Sequence, residues 1–258
     1  MFNPTDWNPT ERFSGLAKVY SRHRPDYPVA AVDFILARCG LKPGTLLVDV
    51  GSGTGISSRQ FAARRLWVVG IEPNAEMRAE AERCDPNGPP PEYRPGTAEA
   101  TGLSEAFADA VLAAQAFHWF DPEPTLREFH RILKPGGWAI LLWNERDESD
   151  PFTAAYGAVI RTARDALAVE TPRKNAGSVL LNHPLFTAAL QASFPHGQTL
   201  DENGMLGRAF SASYAPQVPA EAEKFAADLR AVFARFQNGG QVVLRYRATA
   251  TVARRADA

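Results

Sequence analysis

Val48-Asp-Val-Gly-Ser-Gly-Thr-Gly55 continues an apolar run that begins at Leu46, and about twenty residues later Glu72 closes a second run, Leu66 to Ile71. Leu46 to Val50 is apolar apart from Asp49, as suits a parallel strand buried on both faces. An aspartate is an expensive choice there for packing alone. A strand that ends in a glycine-dense turn brings bare backbone against a ligand, and a carboxylate at the tip of the next strand can grip a ribose diol. The chain therefore reads as built to hold a nucleoside.

Glycine spacing selects among nucleosides. A dinucleotide turn needs G-x-G-x-x-G or its alanine variant, so that the helix packs close and faces its N-terminus to a pyrophosphate. Here the glycines are Gly51, Gly53 and Gly55, and β-branched Ile56 stands where the third small residue belongs. Three further segments follow: Gly96-Thr-Ala-Glu-Ala-Thr-Gly-Leu103, the apolar run Asp109 to Ala114 leading into Gln115-Ala-Phe-His-Trp-Phe120, and Leu126 to Trp143 with a Lys134-Pro-Gly-Gly137 turn. The turn and these segments, in this order, resemble the type 11 branch of the class I methyltransferases over roughly residues 10 to 145.

That resemblance implies S-adenosylmethionine as cofactor, S-adenosylhomocysteine as product and a small-molecule methyl acceptor. By the family pattern, Asp49 faces the cofactor's ammonium group, directly or through water. Gly51, Ser52, Gly53 and Gly55 pass under its methionine part, and Glu72 takes the ribose hydroxyls. Pro73 opens the next helix, and Met77 lies against the adenine or in the core. Thr97, Ala98 and Glu99 form the adenine loop; Ala98 stands near the usual polar position, leaving Glu99 or the backbone to read the amine. Gln115 and Ala116 edge the sulfonium, and Tyr20 and Arg24 are candidates to close over the methionine end. His118 is the candidate catalytic base, since imidazole titrates near neutrality; the alternative is a structural histidine within an aromatic wall.

Strands alternating with helical patterns predict a doubly wound α/β fold. The resemblance implies a mainly parallel seven-stranded sheet with an antiparallel C-terminal strand and a helical cap after the fifth strand. We divide one domain, 1–258, into N-terminal helices or lid (1–40), cofactor core (41–145), cap and substrate region (146–215), and C-terminal helix with edge strand (216–258). Thr10 to Ser21 and Val29 to Arg38 predict helices, and Pro151 to Val169 is mostly helical in pattern. A short helix at Pro184 to Gln191, a strand near Phe194 to Leu200, a helix from Glu221 to Phe236 and a half-exposed edge strand at Gln241 to Ala253 complete the expectation. Arg161 and Arg173 are candidates to pair an anionic substrate, and Tyr214 to line its pocket.

With 258 residues and 45% hydrophobic content the chain can bury a full core. A formal net charge of −1 argues against a nucleic-acid partner. Two cysteines, Cys39 and Cys84, are too few for a disulfide framework, lack metal-ligand spacing and suit a reducing cytoplasm. No apolar run reaches the ~18 residues of a membrane span. A monomer and a homodimer are equally compatible with the sequence. Two other functions stay open: a nicotinamide-dependent dehydrogenase, which would need wider glycine spacing and a catalytic Tyr-Lys or His-Asp set, and a non-catalytic cofactor-binding protein.

Overall fold

The computed structural model describes residues 15–84, 87–164, 166–167 and 177–257. One seven-stranded sheet runs in the order β3-β2-β1-β4-β5-β7-β6. Its strands are β1 (Leu46–Val50), β2 (Trp67–Ile71), β3 (Glu92–Arg94), β4 (Ala108–Ala114), β5 (Leu133–Arg146), β6 (Phe186–Leu200) and β7 (Val242–Arg255). The first five pair in parallel. β7 lies antiparallel between β5 and β6. Helices are α1 (Ala17–His23), α2 (Val29–Cys39), α3 (Ile56–Ala62), α4 (Ala75–Arg83), α5 (Pro122–Ile132), α6 (Pro151–Ile160), α7 (Glu202–Phe210) and α8 (Pro219–Phe236).

Apolar side chains alternate along the buried strands and so feed two layers. Val48, Val50, Val111 and Leu141 pack with Leu126 and Phe129 of α5 on one face. Leu47, Leu112, Ile140 and Val252 pack with Ile35 of α2 and Phe61 of α3 on the other. A third cluster joins Phe152 and Tyr156 of α6, Met205 of α7 and Leu229 and Phe233 of α8 to Leu244 and Tyr246. The cap is thus assembled from α6 after β5 together with α7 and α8 after β6. The sheet order reverses at β1, which has β2 on one side and β4 on the other, the place where doubly wound sheets hold ligands.

Several expectations need correction. Residues 186–191 are strand, not helix: β6 begins at Phe186 and pairs with β7 through to Leu200. Its alanines and leucines favour a helix locally, but the pairing supplies the backbone partners, with an irregularity between Thr187 and Leu190 where Ala188 takes φ +48. β7 is an inner strand rather than an edge, and β6 is the edge. The polar face of β7 is satisfied by neighbours, Gln191 donating to Thr251 at 2.8 Å and Ser193 lying 3.1 Å from Thr249. Lys134 to Gly137 does not precede β5 but interrupts its register: Leu133 pairs with Ala108 and Trp138 already with Ala110. The N-terminal helix is described from Ala17 onward; Thr10 and Phe13 lie outside the described residues, as does Arg173. Arg161 is held by Glu148 at 2.6 Å. No helix among the described residues is long and apolar enough to cross a membrane.

Candidate active site

The glycine turn is pinned to the end of β2, with the Gly51 and Ser52 N–H groups both donating to the Ile71 carbonyl at 2.8 and 3.2 Å. Gly51, Gly53 and Gly55 take φ of +70, +53 and +76, in the left-handed region that glycine enters without strain. Close approach adds to this at Gly51, where a Cβ would stand 2.6 Å from Ala116 Cβ and 2.9 Å from the Phe120 ring. A side chain there would push the end of β4 off the turn.

Glu72 locks the same turn from β2. Its carboxylate accepts from Gly53 N through Oε2 and from Asn74 N through Oε1, each at 2.9 Å. Burial raises its pKa, and those two N–H bonds oppose the rise. A carboxylate offers about four acceptor directions, so the backbone leaves roughly half of them for hydroxyl donors. Arg78 braces the corner by donating to the Glu72 and Pro73 carbonyls at 2.6 and 2.9 Å. Asn74 Oδ1 caps α4 through Met77 N, and the Met77 side chain is buried.

Asp49 is fully buried on the α3 side of β1 and accepts from Ser57 and Ser58 hydroxyls at 2.7 and 2.6 Å, both at Oδ2. Burial pushes its pKa up to about 6, against the lowering effect of the two serines. Among the described residues, Asp49 Oδ1 has no hydrogen-bond partner, and neither do Ser52 Oγ, Thr54 Oγ1 and Gln115 Oε1, all buried. Buried polar groups are nearly always paired in native proteins. Their gathering around one turn fits a polar, cationic ligand such as the aminoacyl end of S-adenosylmethionine.

At the end of β4, Gln115 has φ +57, an uncommon conformation for a non-glycine residue. Gln115 N donates to the Leu142 carbonyl at 2.8 Å and Nε2 to the Asn144 carbonyl at 3.1 Å, which leaves Oε1 as the unpaired acceptor. The chain then enters a 3-10 turn, Phe117–Trp119, which carries half-buried His118 with its ring 4.7 Å from that of Trp119. Ala98 is buried in the loop after β3, where Gly96 packs on Ile71, so the loop borders the tip of β2. Thr97 closes this loop on itself through Ala100 N at 3.2 Å. Glu99 reaches the start of α5, accepting from Asp121 N at 3.1 Å. Arg24 stacks over the Tyr20 ring at 4.7 Å and donates to the Ser211 carbonyl at 3.1 Å, tying the N-terminal segment to the cap.

The fold adds residues that sequence reasoning did not single out for the site. Tyr93 of β3 reaches across Gly70 to Gly55, and burial raises its phenol to about 12. Asn144 donates to the Asp26 carbonyl at 2.8 Å, bringing residues 24–28 beside Gln115's partner strand. A cavity of about 480 Å³ opens there, lined by Arg24, Asp26, Ile56, Gln60, His196 and Gln198 among others. A tyrosine in a three-residue strand and an asparagine near the end of β5 carry no spacing signal. Only the sheet order brings them to the turn.

Residues 48–141 match the family model described as a methyltransferase domain. An uncharacterised methyltransferase of Mycobacterium tuberculosis is 36% identical over 148 residues, 57% of this chain and 58% of its own length. The ubiquinone/menaquinone biosynthesis C-methyltransferase UbiE of Caulobacter vibrioides is 34% identical over 141 residues, covering 49% of this chain and 54% of that protein. The chain thus spans less than two thirds of the relatives it matches. Among solved structures, a methyltransferase proposed for an antibiotic biosynthesis pathway in Anabaena variabilis superposes with a TM-score of 0.62 at 24% identity, covering 89% of this chain and 98% of that one. By its matched core, its relatives and its sheet, the chain is similar to the class I S-adenosylmethionine-dependent methyltransferases of the type 11 branch.

Proposed function

We propose that this protein transfers a methyl group from S-adenosylmethionine to a small-molecule acceptor, with oxygen or nitrogen favoured over carbon as the accepting atom. The observation that carries this reading is the set of buried polar atoms without partners among the described residues at Asp49, Ser52 and Thr54 in the turn that Glu72 holds in place, and at Gln115 on the end of β4 beside it. Asp49 would hold the ammonium, Glu72 the ribose hydroxyls, Ala98 and Met77 the adenine surroundings, and Gln115 with Ala116 the edge near the sulfonium. Tyr20 and Arg24 would close the methionine end.

The cofactor, when bound, supplies an electrophilic methyl carbon on a sulfonium, whose carbon–sulfur bond breaks in line as the acceptor's lone pair forms the new bond. For this chain the work is therefore orientation and exclusion of water, and effective molarities of about 10⁵ M and above are available to an oriented pair. A phenol, alcohol or amine acceptor must also lose a proton. His118, on the turn beside Gln115, would take it. A carboxylate acceptor needs no base. The free cysteines, Cys39 and Cys84, support a reducing cytoplasmic setting, and the acceptor is read as a small molecule rather than a nucleic acid.

Calorimetric titration with S-adenosylhomocysteine, with NAD as control and Glu72→Ala beside the native chain, tests this. Glu72 would contribute hydrogen bonds of about 1.5–3 kcal/mol each, so the variant should bind at least roughly tenfold more weakly. Tighter binding of NAD, or no binding of S-adenosylhomocysteine, would return the chain to the dehydrogenase reading.

A further inference from the structure

Arg208 is buried in the cap with no carboxylate near it among the described residues. Its relative exposure is 9%, and its Nε donates to Tyr246 OH at 3.0 Å. Among the described residues, its hydrogen-bond partner is Tyr246, and the groups acting on its charge are the tyrosines Tyr246, Tyr156 and Tyr214 rather than a carboxylate. An arginine withdrawn from water is normally paired, because the desolvation of its charge is otherwise uncompensated. Beside it stands Tyr156, 1% exposed, whose hydroxyl has no hydrogen-bond partner. Arg208, Tyr246, Tyr214 and Arg146 all lie close enough to act electrostatically on that hydroxyl, and burial holds it protonated. The cluster therefore offers a planar guanidinium fork and a phenolic donor, with aromatic rings around them and, among the described residues, no anion.

Its place in the fold links it to the methyl-transfer region. Tyr246 pairs with Arg146 on β5, two residues beyond Asn144, about 7 Å along the strand from the carbonyl that Gln115 engages. Tyr246 also lies 3.5 Å from Gln198, which lines the cavity of about 480 Å³. We propose that Arg208 and Tyr156 bind the carboxylate of a small organic-acid acceptor as an anchor, leaving a different atom of that molecule at Gln115. A carboxylate matches the guanidinium fork in shape as well as charge, with both oxygens accepting in one plane.

This anchor rests on the proposed methyltransferase function for its meaning but is tested apart from it. Propionate, benzoate and glutarate, each with its neutral amide, would be titrated into the full chain, with the thermal midpoint and calorimetric heat as readouts. The acids but not the amides should raise the midpoint of the native chain and of Glu72→Ala alike. Arg208→Met should lose that rise and weaken acid binding roughly tenfold or more, yet keep S-adenosylhomocysteine binding. On its own it should melt at or above the native temperature, because it removes an unpaired buried charge. Tyr156→Phe, which keeps the ring, should fold normally and show a smaller acid-dependent rise. The anchor is overturned if no acid raises the native midpoint, if acids stabilise Arg208→Met equally, if Arg208→Met melts well below the native chain, or if it loses S-adenosylhomocysteine. Acid binding without S-adenosylhomocysteine binding would instead leave the anchor standing and sink the methyltransferase function.

Discussion

The glycine turn and the helical cap both bury polar groups left without partners among the described residues, but they differ in how those groups are framed. Around the turn, the unpaired atoms of Asp49, Ser52 and Thr54 sit on a backbone already locked by Ile71 and Glu72, so the frame exists before any ligand arrives. In the cap, Arg208 and Tyr156 project from helices that come from different parts of the chain and meet on β7. On the proposed function, the turn would recognise its ligand with main chain and motif. The proposed anchor in the cap would recognise with side chains alone, and side chains can be exchanged without rebuilding the fold. That division suits an enzyme core that keeps one cofactor while its acceptor changes.

The most severe way to break the contrast is at Gly55. A Cβ there collides with Tyr93 OH and comes 2.9 Å from Arg59 Nη1, on a backbone at φ +76. Gly55→Ala should cost about 2–4 kcal/mol from overpacking plus left-handed strain. Gly53→Ala, at φ +53 with nothing within 4 Å, should cost only about 1 kcal/mol in the free protein. Chemical denaturation of both would show it. Adding Tyr93→Phe should recover part of the Gly55→Ala loss and none of the Gly53→Ala loss; equal recovery would mean the turn is less tightly framed than its contacts indicate.

Asp49 comes next, and pH exposes it. Its pKa is about 6 in the folded chain against 3.8 for an unperturbed aspartate, so the native state binds the proton more tightly than the unfolded state does. The stabilisation from that proton is present below pH 3.8 and is lost as pH rises through about 6. At pH 7 the ionised, buried carboxylate then costs about 2–3 kcal/mol, at 1.36 kcal/mol per unit. Asp49→Asn should melt higher than the native chain at pH 7 and show a flatter stability profile between pH 4 and 6. It should also bind S-adenosylhomocysteine more weakly, and native affinity should fall as pH drops below about 6. A destabilised Asp49→Asn would make the aspartate a structural residue bound to its serines.

The two halves were unequally legible for the same physical reason. A strand buried on both faces must be a continuous apolar run, so β1 could be read at Leu46 to Val50, and the core face of α8 showed in Phe225, Leu229 and Phe233. The glycine turn and Glu72 are contiguous signals whose chemistry is fixed by backbone geometry. β6 and β7 depend instead on each other: Thr249 and Thr251 look solvent-facing in sequence, yet find their partners in Ser193 and Gln191 across the ladder. Local propensity at Pro184 to Gln191 favoured a helix, and a pairing with residues more than fifty positions away overrode it. Nor could the sequence show that Glu99, in the loop after β3, accepts from Asp121 N at the start of α5, twenty-two positions on. Arg208 shows nothing in sequence that separates it from a surface arginine, since its burial comes from a strand and two helices that close around it.

The smallest effect compares two alanine-sized questions about backbone. Gln115 and Ala188 are both non-glycine residues in the left-handed region, at φ +57 and +48. Replacing each by glycine relieves the same steric cost, of order 1 kcal/mol, less what the freer unfolded chain takes back. At Ala188, an exposed position in the irregular part of β6, stability is all that should change. At Gln115 the same relief removes the amide that binds the Asn144 carbonyl and the buried Oε1 at the edge of the site, so S-adenosylhomocysteine should bind several-fold more weakly. Strain that persists where a side chain meets a ligand, and strain that only turns a strand, would then separate cleanly in two titrations. If Gln115→Gly binds as well as the native chain, its left-handed backbone serves only the exit from β4, and the edge of the transfer site must be sought at Ala116 and the 3-10 turn beyond it.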